Sequence, residues 1–172
     1  MDQLARKNLF ARLWGQKHEP QSPTAAPAPK DAIVLVVDDS RTVVVALQRV
    51  LESDGYLSTP AFDGQQAVEI AKRRAPDLIL MDIVMPRMNG FEAMRALAAD
   101  PQTRDIPVIM VSGTENPSDR IWGAKLGAKA FLAKPIRREE LLAKVATVLA
   151  LNRARASAVA GASPAALNLP TR

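Results

Sequence analysis

The chain has 172 residues, enough for one ordinary domain with extensions, and only 4% of them are aromatic, so any core must be aliphatic. It has no Cys and its one His is His18, which excludes disulfides, Cys-ligated zinc, iron–sulfur clusters, thiol nucleophiles and Ser-His-Asp triads. The net charge of +5 comes from the ends: residues 1–31 hold five basic and three acidic residues, residues 151–172 hold three arginines and no acid, and residues 32–150 hold fifteen of each. The central part is therefore not a basic domain of the kind that binds nucleic acids, and we expect no nucleic-acid partner.

The N-terminal part of the sequence divides into two segments. Residues 1–19 are basic and amphipathic, and as a helix they would align four apolar side chains on one face: Leu9, Phe10, Leu13 and Trp14. Such a face suits docking to a partner or a membrane surface, or packing on the chain's own domain. Residues 20–31 form a Pro/Ala-rich linker.

Within the predicted domain, residues 32–151, five apolar runs alternate with segments whose apolar residues recur at helical spacing. The runs are Ala32–Val37, Leu57–Ala61, Leu78–Met81, Val108–Val111 and Ala130–Ala133. Continuous apolar runs are typical of parallel strands that are buried on both faces, and crossovers between such strands are right-handed. The pattern predicts an α/β fold with a doubly wound parallel sheet. Residues 152–172 follow as an Ala/Ser-rich tail that we expect to be disordered.

Reactive side chains follow four of the five runs directly: Asp38 and Asp39, Asp82, Ser112, and Lys134. Because parallel strands end at the same sheet edge, these side chains are expected to meet in one site. Lys134 balances one of the three carboxylate charges, and a divalent cation would balance the rest. Oxygen ligands without imidazole or thiolate favour Mg²⁺ or Mn²⁺. A carboxylate in these surroundings is suited to accepting a phosphoryl group.

From Ile33 to about Ala150 the sequence resembles the response-regulator receiver domain, the CheY-like family. Four motifs carry the resemblance: LVVDDS (35–40), LILMDIVMPRMNG (78–90), PVIMVSG (107–113) and GAKAFLAKP (127–135). The resemblance implies a flavodoxin-like (βα)5 fold with strand order 2-1-3-4-5. It also implies a stand-alone response regulator, which acts by binding and catalyses only its own phosphorylation and dephosphorylation.

The family's metal and acceptor roles can be carried onto this sequence. Asp82 would be the phosphoacceptor. Asp39 would bind Mg²⁺ directly, Asp38 would help through water, and the acceptor and the Val84 backbone carbonyl would complete the protein ligands. The side chain of Val84, two positions after the acceptor, would overlook the water that hydrolyses the acyl phosphate.

The resemblance also implies a set of switch residues. Lys134 would contact the phosphoryl group, and Ser112 would hydrogen-bond it once it has formed. Phe131 stands at the family's aromatic switch position, which is often Tyr. The Lys134-Pro135 peptide bond is expected to be cis.

The resemblance implies two partners, a CheA-like histidine kinase and an output protein that binds the face made by the fourth helix, fifth strand and fifth helix. The segment Pro117–Ile136, with its Trp122-Gly123 pair, is similar to PilH-type receivers of the type IV pilus chemosensory system, so we expect a role in twitching motility or chemotaxis. No apolar run approaches the roughly 20 residues of a membrane span, and we expect a cytoplasmic protein. The sequence indicates no oligomeric state.

Two alternative functions remain at the level of sequence. The same chemistry would serve a phosphate sink, which competes with a sibling receiver for a shared kinase. A haloacid-dehalogenase-type phosphatase also uses an Asp nucleophile and Mg²⁺, but its nucleophile lies in a DxD motif after the first strand. Here the first run is followed by Asp38-Asp39-Ser40, which lacks that motif.

Overall fold

The computed structural model describes residues 31–113 and 116–161, in which five strands alternate with five helices. The strands are β1 (Ile33–Val37), β2 (Leu57–Ala61), β3 (Leu78–Asp82), β4 (Val108–Ser112) and β5 (Ala130–Ala133). The helices are α1 (Arg41–Ser53), α2 (Gly64–Arg74), α3 (Gly90–Ala99), α4 (Pro117–Lys125) and α5 (Arg138–Gly161). Every strand confirms its predicted run to within one residue at each end. Within the described part of the chain, no helix is both long enough and apolar enough to span a bilayer.

The strands form one parallel sheet in the order β2-β1-β3-β4-β5, which confirms the predicted flavodoxin-like topology. Every residue of β3 and β4 is buried, because helices cover both faces of the sheet. The edge strand β2 is more exposed and contains Pro60, which lacks a backbone donor and is tolerated at a sheet edge. The carboxyl ends of all five strands therefore lie along one edge.

Alternate residues of the strands fill two aliphatic layers, one on each face of the sheet. Val34 and Val36 of β1 pack in the layer that α1 and α5 cover. Leu35 and Val37 pack in the opposite layer, against α2 and α3. A slip of one residue would exchange the two sets, so the packing determines the register and with it the level at which each strand ends.

Polar residues in the turns after the strands cap the helices. Ser40, Asp63 and Asn116 accept hydrogen bonds from backbone N–H groups in the first turns of α1, α2 and α4. Asn89 forms a reciprocal capping box with Glu92 at the start of α3. The turns that carry the candidate reactive residues are therefore held by helix capping.

The helix α5 extends to Gly161, beyond the predicted domain boundary at residue 151. Residues 152–161 of the predicted tail are thus described as the last turns of this helix. Ala and Arg have high helix propensity, and a helix that already exists needs no new nucleation to extend. The predicted segment 1–19, the linker up to residue 30 and residues 162–172 lie outside the described residues.

Candidate functional site

The register of the sheet brings three carboxylates together. Val37 pairs with Met81, so Asp38 after β1 lies level with Asp82 at the end of β3. Asp38 and Asp82 are buried, whereas Asp39 is exposed. One carboxylate oxygen from each of the three residues lies within 4.8 Å of the other two. The predicted acidic cluster is thus present at the carboxyl edge of the sheet.

The Lys134 side chain bridges the two buried carboxylates. Its Nζ lies 2.7 Å from Asp38 Oδ2 and 2.9 Å from Asp82 Oδ1. The backbone N–H of Lys134 donates to the Ser112 carbonyl at 2.8 Å, which extends the pairing of β5 with β4. The peptide bond from Lys134 to Pro135 is cis. Lys134, which follows the fifth strand, therefore places a cation between Asp38, which follows the first strand, and Asp82, which ends the third.

Negative charge outweighs positive charge in this cluster. The pKa of Asp82 is raised, mainly by burial and further by the charges of Asp38 and Asp39, although the hydrogen bond and charge of Lys134 act to lower it. For Lys134, burial would lower the pKa, but the hydrogen bonds and charges of Asp38 and Asp82 outweigh burial and raise it. The residues present fit a hard divalent cation, because the donors are all oxygen and their charge is only partly balanced.

Ser112 ends β4 beside the acidic cluster, since its neighbour Val111 pairs with Asp82. The side chain is buried, and its Oγ donates to Asp119 Oδ2 at 3.5 Å, a long and weak hydrogen bond. Asp119 belongs to α4, and the sequence analysis did not select it. The hydroxyl predicted to bind a phosphoryl group is thus also in reach of the fourth helix.

Phe131 packs its ring into a notch on α4. A Cβ on Gly123 would lie 2.5 Å from Phe131 Cζ and 2.8 Å from Cε1, so only glycine leaves room for the ring in this position. The neighbouring residues Ile121 and Trp122 are 56% and 59% exposed. The sequence singled out the Trp122-Gly123 pair, but it did not reveal that the glycine accommodates the Phe131 ring.

The loop between β3 and α3 follows Asp82 directly. Its backbone is held by hydrogen bonds from Ile83 N–H to the Val111 carbonyl and from Gly90 N–H to the Ile83 carbonyl, each 3.0 Å long. Val84 is 74% exposed and presents an apolar side chain beside the cluster. Arg87, further along the loop, pairs with Asp63 at the start of α2. The Asp-Gly sequence before α2 signals a helix cap, but no local signal predicts its pairing with Arg87.

Comparison with known proteins agrees with this geometry. Residues 34–146 match the response regulator receiver domain family. Protein PilH of Pseudomonas aeruginosa is 43% identical over 119 residues, which cover 69% of this chain and 98% of that protein. Response regulator PleD of Caulobacter vibrioides is 43% identical over 114 residues, which cover 66% of this chain but 25% of PleD, so the similarity concerns one part of that protein.

Solved structures give the same result. The Vibrio cholerae chemotaxis protein CheY4 has a TM-score of 0.66 and 33% sequence identity, and the match covers 69% of this chain and 98% of CheY4. The Francisella response regulator 1452 receiver domain has a TM-score of 0.65 and 28% identity, over 72% of this chain and 99% of that domain. With its sheet order, its acidic cluster and the family match over residues 34–146, the chain belongs to the response-regulator receiver family, as a CheY-like response regulator.

Proposed function

We propose that this response regulator is a protein-interaction switch that accepts a phosphoryl group on Asp82 from a histidine kinase. The observation that carries the proposal is the position of Asp82, buried at the end of a central strand with Lys134 Nζ 2.9 Å away. Asp38, the other buried member of the cluster, has its oxygens engaged by Lys134 and by the Ser40 N–H at 2.9 Å. Asp82 is therefore the carboxylate best placed to act as the nucleophile.

In the transfer, an Asp82 carboxylate oxygen attacks the phosphorus atom of a phosphohistidine. The O–P bond forms as the P–N bond breaks, and the electron pair of the broken bond remains on the imidazole nitrogen. The Lys134 ammonium, held in place by Asp38, donates hydrogen bonds to the phosphoryl oxygens. The Ser112 hydroxyl donates another once the acyl phosphate has formed. When bound, Mg²⁺ would neutralise negative charge on its proposed ligands and on the phosphoryl oxygens. These ligands are Asp39, Asp82 and the Val84 carbonyl, and Asp38 would contribute through water.

The proposal includes no turnover of an external substrate. A dehalogenase-type phosphatase would place its nucleophile in a DxD motif after β1, whereas the residues there are Asp38, Asp39 and Ser40. The family match does not favour that alternative either. We therefore assign the chain only its own phosphorylation and dephosphorylation.

For the output we propose the face formed by α4, β5 and α5. Ser112 contacts Asp119 of α4, and Phe131 of β5 sits in the α4 notch at Gly123. A phosphoryl group on Asp82 would draw the Ser112 hydroxyl toward it and weaken the hydrogen bond from that hydroxyl to Asp119 of α4. The populations of alternative positions of α4 and Phe131 would then shift. Trp122 is exposed on α4 and would report that shift to a partner.

The similarity to PilH over almost the whole of that protein supports a role in type IV pilus twitching motility or chemotaxis, with a CheA-like kinase as the donor. We propose a cytoplasmic location, with which a chain without Cys is compatible. A phosphate sink would use the same site, but its deletion would increase signalling through a sibling receiver. Deletion of a switch would instead remove signalling.

Labelling by a small phosphodonor such as acetyl phosphate tests the acceptor. Asp82→Asn is expected to abolish labelling, and labelling of the wild type is expected to require Mg²⁺. Asp100→Asn is the matched control, because Asp100 pairs with Lys72 away from the cluster. Undiminished labelling of Asp82→Asn would refute the assignment of the acceptor.

A further inference from the structure

The loop between β3 and α3, residues 83–89, is tied to the start of α2 by one ion pair. The Arg87 guanidinium donates a hydrogen bond to Asp63 Oδ2, and the Asp63 side chain is 4% exposed. We propose that the Arg87–Asp63 pair is a positioning device that holds this loop in the geometry the acidic site requires. The inference rests on the proposed acceptor and metal site, because the loop carries the Val84 carbonyl.

The backbone at Arg87 needs such a restraint. Arg87 has a φ of 65°, in the left-handed region that residues with a side chain other than Asn and Asp seldom occupy. The ion pair favours this conformation because it fixes the guanidinium at the start of α2. Loss of the pair would allow the loop to relax to other backbone conformations.

Backbone packing links the same loop to the acceptor at its other end. A Cβ on Gly90 would lie 2.2 Å from the Asp82 carbonyl oxygen, and a Cβ on Gly64 would lie 2.6 Å from the Met88 carbonyl oxygen. The Gly64 N–H also donates to that Met88 carbonyl at 3.2 Å. The loop is therefore confined between Asp82 and α2, and a shift at Arg87 is transmitted to the backbone beside the acceptor.

The two Asp63 oxygens have separate tasks, which allows a selective substitution. Oδ1 caps α2 by accepting from the Gln66 N–H at 2.8 Å, and Oδ2 receives Arg87. Asn is as good a helix cap as Asp, so Asp63→Asn retains the cap and removes the charge that attracts Arg87. Arg87→Gln removes the guanidinium from the other side and keeps a side chain that disfavours the left-handed conformation, so the backbone still needs the restraint.

Asp100→Asn supplies a matched control in the same pair of helices. Asp100 Oδ2 pairs with Lys72 Nζ at 2.8 Å, and Asp100 Oδ1 accepts from the Gln102 N–H at 2.8 Å. This substitution also removes an ion pair that joins α2 to the end of α3 and retains a local cap. It does not touch residues 83–89.

The experiment combines calorimetric titration with Mg²⁺ and amide hydrogen exchange without Mg²⁺ or phosphodonor. Asp63→Asn and Arg87→Gln are each expected to weaken Mg²⁺ binding by up to about fivefold, the fold-change that a partly exposed ion pair can account for. Both are expected to accelerate exchange at residues 83–89, and Asp100→Asn is expected to change neither measurement. The double variant is expected to lose no more affinity than either single variant, because both remove the same interaction.

Wild-type Mg²⁺ affinity in Asp63→Asn and Arg87→Gln would overturn the proposal, as would additive losses in the double variant. Unchanged exchange in the loop would also overturn it. These outcomes are distinct from failure of the proposed function. If Asp82→Asn were still labelled, the acceptor would be wrong, whereas the exchange measurement tests the Arg87–Asp63 restraint without any phosphotransfer.

Discussion

Asp82→Asn is expected to stabilise the fold in the absence of Mg²⁺, although it removes the proposed phosphoacceptor. Asp82 is buried, and its carboxylate lies within 4.8 Å of those of Asp38 and Asp39. Among the described residues, the one cation in contact with it is Lys134, which it shares with Asp38. Asn has nearly the same shape and carries no charge, so the substitution isolates the electrostatic cost of the carboxylate.

The magnitude follows from these distances. At an effective dielectric constant of about 20, each like-charge contact at 4.8 Å costs about 3 kcal/mol, and the contact with Lys134 at 2.9 Å contributes about 6 kcal/mol in the opposite direction. Asp82 faces two carboxylates, so repulsion and attraction nearly cancel. The cost of burying the ionised carboxylate is then uncompensated. We expect Asn to raise the free energy of unfolding by about 1 kcal/mol, the scale of a typical single substitution.

The sign of the pH dependence follows from the raised pKa of Asp82. Between the unfolded and the folded pKa, the folded chain binds more protons than the unfolded chain, so wild-type stability decreases as pH rises through that window. The advantage of Asp82→Asn is therefore near zero below the ordinary carboxyl pKa and reaches its full size above the raised pKa. Urea unfolding at a series of pH values, with a chelator present, measures this difference.

Two comparisons make the measurement decisive. Mg²⁺ at ten times its Kd is expected to stabilise the wild type by about 1.4 kcal/mol, which offsets the advantage of the variant. The stability of Asp63→Asn relative to the wild type should depend on pH in the opposite way. Burial would raise the pKa of Asp63, but hydrogen bonds from the Gln66 N–H and Arg87 outweigh it and lower that pKa. The Asp63 carboxylate therefore stabilises the wild type above its unfolded pKa, and this stabilisation is lost as pH falls through its folded pKa. If Asp82→Asn were less stable than the wild type at pH 7 without Mg²⁺, the electrostatic reasoning would be wrong.

Two further predictions concern the metal and the lifetime of the phosphoryl group. Asp39→Ala should weaken Mg²⁺ binding and phosphorylation together, because it removes the exposed carboxylate of the cluster; an unchanged Mg²⁺ titration followed by NMR would show that Asp39 is not a ligand. Val84 is 74% exposed, and its side chain cannot hydrogen-bond a water molecule. Val84→Asn should therefore shorten the lifetime of the Asp82 phosphate several-fold, which corresponds to a change of about 1 kcal/mol in the barrier to hydrolysis. A decay that is unchanged or slower in Val84→Asn would contradict this role for position 84.

Several features of the molecule followed from long-range packing and had no local signal. Gly123 looked like one half of a dipeptide motif, yet it is the absence of its Cβ that admits the Phe131 ring. Arg87 occupies a left-handed conformation that its side chain disfavours, and its partner Asp63 lies in a different βα unit. The extension of α5 to Gly161, in contrast, has a local basis, because its Ala-rich, Arg-containing segment has high helix propensity as well as the composition of a disordered tail.

The five strands, the parallel sheet and the residues at its carboxyl edge could all be predicted from the order of residues along the chain. This was possible because the run of apolar residues and the type of residue that ends each run are local properties, and parallel strands all end on one side. The contacts of Lys134 with Asp38 and Asp82, of Ser112 with Asp119 and of Arg87 with Asp63 became visible only in the folded chain. These contacts join residues on different strands, loops and helices. Their distances depend on the strand register and on how the two aliphatic layers pack, which no local pattern contains.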